Sequence, residues 1–130
     1  SGMKAPKYFF TNVKRHGALL AKGRMLGIQF DTLFTDNLYF KVSEHAIKMA
    51  VCIRNIFTKH GIKIAYNSPT NQQFVSLSPT LYDALSKNVA FEIWERKSED
   101  EIICRFVTSW ATKETEIEAL DKELSKLLKA

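Results

Sequence analysis

The sequence is poor in metal-binding and disulfide-forming residues. Its 130 residues hold two cysteines, Cys52 and Cys104, and three histidines, His16, His45 and His60, in no metal-ligand spacing. A zinc-stapled fold and a disulfide framework are both excluded by that count. Both cysteines sit among apolar neighbours, so reduced core thiols and a cytoplasmic setting are expected. No run of about 18 apolar residues is present, so no membrane span is expected. No secretory signal is visible either; Ser1 and Gly2, ahead of Met3, read as the scar of a removed tag. The net charge is +5, yet the cations form no dense run, so the charge points only weakly to an acidic partner.

Hydrophobic residues at 45% and charged residues at 25% describe an ordinary globular chain. Its length fits one domain with a real core, plus an appended arm. Residues 3–16 are basic and without period, around the aromatic cluster Tyr8, Phe9 and Phe10. Residues 17–34 predict a long helix, with Leu19, Leu26, Phe30 and Leu33 on one face. Leu20, Met25, Ile28 and Phe34 make its other faces apolar too, which calls for cover from something larger. Gly23 and Gly27 would admit close packing, or leave room for a cofactor.

Thr35, Asp36 and Asn37 break the chain. A second helix then runs to about His60, with Gly61 as the left-handed residue after it. Ala46, Met49, Ala50, Ile53 and Phe57 form its core face. His60 is expected to cap that helix at the surface. Strands are predicted over residues 62–66 and 73–77, and Asn71, Gln72 and Gln73 cluster amides beside the second. Ser78 and Pro79 open a short helix. A strand over 89–95 and a charged tip follow. Thr112 is expected to cap a last amphipathic helix built on Ile117, Leu120, Leu124 and Leu127.

Between tip and last helix lies the run Ile102-Ile103-Cys104-Arg105-Phe106-Val107. A strand here puts Ile102, Cys104 and Phe106 on one face, and Ile103, Arg105 and Val107 on the other. Both faces are apolar but for one guanidinium, so the strand is expected to be central and covered on both sides. Arginine cannot shed its proton, and a covered guanidinium needs an anion. A structural ion pair would serve; so would a ligand carboxylate or phosphate, which the guanidinium fork matches with two bonds. The predicted fold class is α+β: a two-layer sandwich, two N-terminal helices followed by a small, mostly antiparallel sheet packed with helices.

Residues 105–112 (RFVTSWAT), 17–30 (GALLAKGRMLGIQF) and 68–74 (SPTNQQF) together resemble the C-terminal part of the threonine aldolase and β-eliminating lyase family. Those are pyridoxal-phosphate enzymes of the aspartate-aminotransferase fold. The resemblance implies that Arg105 grips the substrate α-carboxylate, orienting the bond to be broken perpendicular to the cofactor ring. It also implies that Lys22 or Arg24 approaches the cofactor phosphate, often in a neighbouring subunit. The Schiff-base lysine of such enzymes precedes the matched segments, so no cofactor is expected bound to these 130 residues alone, and no activity. On this reading residues 1–16 are scar and arm, 17–61 a helical segment linking to a large domain, and 62–130 the α+β small domain. The partners implied are an amino-acid substrate and further copies of the chain, not nucleic acid or a membrane. The reaction implied is cleavage of a β-hydroxy amino acid to glycine and an aldehyde; β-elimination on an aromatic amino acid is the alternative. A rival from another class is a small basic nucleic-acid-binding module using Lys4, Lys7, Lys14, Arg15, Lys22 and Arg24 with the aromatic cluster.

Overall fold

The computed structural model describes residues 4–129, so Ser1 and Gly2 lie outside it. In chain order the described elements are α1 (Phe9–Arg15), α2 (Gly23–Phe34), α3 (Leu38–Lys59), β1 (Ile64–Tyr66), β2 (Gln72–Leu77), α4 (Pro79–Leu85), β3 (Glu92–Arg96), β4 (Ile102–Val107) and α5 (Glu114–Leu127). A 3₁₀ turn, Thr35–Asn37, separates α2 from α3. The strands form one antiparallel sheet in the order β1-β2-β4-β3. This is the expected α+β class. The chain divides into two compact units, one up to Tyr39 and one from Phe40.

In the first unit, two expectations are corrected. The basic arm, in which no period was visible, holds a helix: residues 9–15 form α1, closed by Gly17 at φ 67°. The Gly17 N–H donates to the Lys14 carbonyl and that of Ala18 to the Val13 carbonyl. A left-handed glycine ends a helix in this way. The helix predicted over 17–34 therefore starts only at Gly23. It stops where expected, at Thr35–Asn37, with Asp36 and Asn37 at positive φ, a conformation these two residue types tolerate. None of its residues is buried, and nothing lies within 4 Å of a Cβ placed on Gly27. The apolar faces of α2 thus meet no cover among the described residues.

The second unit holds the core. Ala46, Met49, Ala50, Ile53 and Phe57 are the buried residues of α3, the face its periodicity selected. Gly61, at φ 71°, turns the chain into β1. Ser78 Oγ accepts the Leu81 N–H and Pro79 fills the first helical position of α4. Helices α3, α4 and α5 all send side chains to one sheet face, where Met49, Phe57, Val75, Leu77, Leu85, Ile102, Cys104, Phe106 and Leu124 pack together. Phe106 stacks on Phe91 with centroids 4.6 Å apart and meets Phe57 at 4.8 Å. Burial in this core pushes the Cys104 thiol up to about 11.

Strand β4 is central, but it is not covered on both sides. Ile103 is buried, whereas Arg105 is only partly covered and Val107 is exposed. All the layered helices sit on the other face, so the Arg105 end of this face remains open. Two caps also differ. Lys113, not Thr112, precedes α5, and its N–H donates to Glu116 Oε2. The Thr112 hydroxyl instead accepts the Ser109 N–H. His60 is no exposed cap: it is 12% exposed and lies 2.6 Å from Asp121 Oδ1, with Lys59 Nζ at 2.8 Å from Oδ2.

Candidate carboxylate site

The open sheet face carries the site. In the β2/β4 register Arg105 lies opposite Phe74, and in the β3/β4 register opposite Glu92. Antiparallel pairing places such partners side by side on one face. Arg105 Nη2 donates to Glu92 Oε2 and Nη1 to Gln72 Oε1 at 3.3 Å. The Trp94 ring stands 5.4 Å from the guanidinium carbon, within cation–π range. Nε is buried and has no partner. The expected anion is therefore present as a protein carboxylate, and the buried Nε–H of the guanidinium is left without a partner.

Glu92 and Arg105 differ in their freedom. Glu92 is on the edge strand and its side chain is 67% exposed; that of Arg105 is 27% exposed. A recess of about 270 Å³ beside them is lined by Ala90, Phe91, Glu92, Arg105 and Val107. Away from the recess the same face continues as an aromatic row. Phe74 lies 5.2 Å from Trp94 and 5.7 Å from Tyr66. The Tyr66 hydroxyl donates to Glu95 Oε2 at 3.0 Å, which holds its proton above the ordinary range.

The residues following Arg105 anchor the strand. Thr108 is buried and its hydroxyl donates to the Ala46 carbonyl at 2.7 Å. Its N–H donates to the Asn71 carbonyl at 3.0 Å, and Asn71 Nδ2 returns a bond to the Thr108 carbonyl at 2.6 Å. His45 Nε2 donates to the Thr112 carbonyl at 2.8 Å. Asn71 thus acts as a clamp between the β1–β2 loop and the end of β4. Gln73 is buried and donates to the Ser68 and Thr70 carbonyls. Of the three clustered amides only Gln72 reaches the guanidinium. The cost of leaving a buried amide or carbonyl unpaired is enough to fix this end of β4.

Lys22 and Arg24 stand together at the start of α2, in the first unit. Both are exposed, and neither has a carboxylate partner among the described residues. Lys4, Lys7, Lys14 and Arg15, the other cations of the nucleic-acid reading, belong to the same unit. Glu92 and Trp94 were not singled out in the sequence as site residues. A carboxylate and an indole on a strand predicted to precede that of Arg105 were the available signal. Among the described residues no group of three histidine, cysteine or acidic side chains could hold a metal. No helix among them is long and apolar enough to cross a membrane.

No protein-family model matches the chain, and no curated protein matches it. A solved structure of Leishmania major threonine aldolase does. It is 35% identical, with a TM-score of 0.82 over 95% of this chain. The match spans 36% of the length of that protein.

Proposed function

We propose that this chain, a domain of threonine-aldolase type in sequence and fold, holds the α-carboxylate of an amino-acid substrate through Arg105 in a pyridoxal-phosphate-dependent carbon–carbon lyase. The observation that carries the proposal is the state of that guanidinium. It is fixed to a clamped central strand, opens on a recess, and keeps a buried Nε without a partner. A carboxylate bound side-on would satisfy Nε and Nη2 together, the two-pronged geometry for which arginine is suited.

The residues present fit the cofactor only in part. Every lysine in the chain is exposed. A lysine that carries such a cofactor covalently must lose its proton at working pH, which burial promotes. The covalent seat is therefore assigned to the rest of the enzyme. Lys22 and Arg24 suit the cofactor phosphate instead: two cations without a carboxylate partner among the described residues, at the positive end of a 12-residue helix. When bound, the cofactor supplies an electron sink for the carbon left as a β-hydroxy amino acid splits into glycine and an aldehyde. The contribution of this chain is orientation. Holding the carboxylate fixes which substrate bond faces the sink.

The test is Arg105→Ala in the enzyme that contains this domain. Loss of a charge-assisted pair, about 1.5–3 kcal/mol, lowers kcat/KM by at least about tenfold, with a raised KM and a smaller fall in kcat. Unchanged kinetics in a stably folded variant would return Arg105 to a structural ion pair. Release of glycine and an aldehyde separates this reading from β-elimination, which yields no glycine.

A further inference from the structure

We infer that Glu92 is a resident counter-ion which the substrate carboxylate must displace, and that it thereby sets the affinity of the Arg105 site. The inference rests on the carboxylate role proposed above for Arg105. Glu92 offers the guanidinium a single contact, to Nη2, and leaves Nε unpaired. Arginine–carboxylate pairs frequently use the fork with two parallel bonds, and this one does not. The other contacts of Arg105 hold it without neutralising it: Gln72 is an uncharged acceptor and Trp94 presents a ring face. Glu92 is thus the one anion on the guanidinium among the described residues, and it is the more exposed member of the pair.

Glu92 has room to leave. Its side chain is largely exposed, it lies on edge strand β3, and it lines the recess beside Arg105. Its neighbour in the recess wall, Ala90, is small and exposed. A carboxylate that can return to solvent loses little by swinging outward, since an exposed ion pair is weakly held. A ligand carboxylate entering the same place gains the Nε donor that Glu92 does not reach. Occupied by Glu92, the fork carries a compensated charge; exchange keeps that compensation throughout, so no bare guanidinium is left half-buried. The apparent affinity for a carboxylate is then reduced by the fraction of time Glu92 holds the fork.

The probe is sodium acetate, titrated into the 130-residue chain against sodium chloride at matched ionic strength. The reporter is the indole N–H of Trp94 in the NMR spectrum, since its ring lies 5.4 Å from the guanidinium carbon. In Glu92→Gln, an isosteric change, the half-saturating acetate concentration falls by about two- to fivefold, the range over which an exposed pair holds its partner. In Arg105→Lys the response is lost. A Glu92→Gln chain that binds acetate no tighter, or more weakly, while Arg105→Lys loses the response, overturns the role of Glu92 and leaves the carboxylate role of Arg105 standing. An Arg105→Lys chain that responds like the wild type, or silence in all three chains, removes both.

Discussion

Phe57→Ala tests whether the arrangement of α3 on the sheet is what holds β4, and Arg105 with it, in place. Phe57 is fully buried, and its ring lies 4.8 Å from that of Phe106, the neighbour of Arg105 in β4. Phe106 in turn stacks on Phe91, so removing the Phe57 ring leaves a hole under the strand that carries the site. Truncation of a buried phenylalanine costs about 3–5 kcal/mol, the lost transfer energy plus the cavity. The unit from Phe40 to the C-terminus is stable by about 5–13 kcal/mol at the usual value per residue. With a urea slope of about 1.5 kcal/mol/M, the midpoint falls by roughly 2–3 M. Both tryptophans, Trp94 and Trp110, lie in that unit, so fluorescence follows its unfolding alone. Phe57→Leu, which keeps more of the volume, should lose only about 1–2 kcal/mol and covers the case in which alanine is too damaging. Phe10→Ala, at an exposed position of α1, should stay within about 0.5 kcal/mol. A midpoint for Phe57→Ala within about 0.5 M of the wild type at equal slope would refute the packing argument.

Asp121 is held below its ordinary value of 3.8 first by the hydrogen bond from Lys59 and then by that from His60. A carboxyl depressed by folding stabilises the protein above its unfolded value and loses that contribution as pH falls through the folded one. Asp121→Asn should therefore flatten the loss of Tm below about pH 4, and an acid limb as steep as that of the wild type would exclude the tether. Burial raises the Cys104 thiol to about 11, so one native thiol, that of the half-buried Cys52, should react with a disulfide reagent at about pH 8 and the second only on unfolding. Two equally fast thiols would contradict the core position of Cys104. The exposed Met25, Leu26, Ile28, Phe30 and Phe34 of α2 form more apolar surface than monomers usually leave in water, so the chain should self-associate with rising concentration in sedimentation. A strictly monomeric chain, with Phe30→Glu changing nothing, would show that these faces seek no partner.

Local chemistry in the sequence determined much of the second unit. The spacing of Met49, Ile53 and Phe57 selects a helix face whatever lies beyond it, because the helix repeat is set by the backbone. Serine before proline at 78–79, and glycine at 61, act within three or four residues, so the ends they mark were legible. The run 102–107 was legible as a strand for the same reason. The resemblance carried by residues 105–112 survives in the structure as a set of anchors: Thr108 and Thr112 tie β4 to α3. Their roles could not be read locally, since their partners Ala46 and His45 lie more than sixty residues away. Gly17 shows the limit within a single segment. Its apolar neighbours keep a helical period, but its left-handed backbone ends α1 and delays α2. The anion at Arg105 was required by the sequence and left unnamed by it. Solvation energy demands that a partly buried charge be compensated, whereas strand register alone brings Glu92 and Gln72, from the two neighbouring strands, to the same guanidinium. Which face of β4 stays open was likewise a tertiary decision: alternation makes two faces, and only the placement of α3, α4 and α5 on one of them leaves the Arg105 end of the other uncovered.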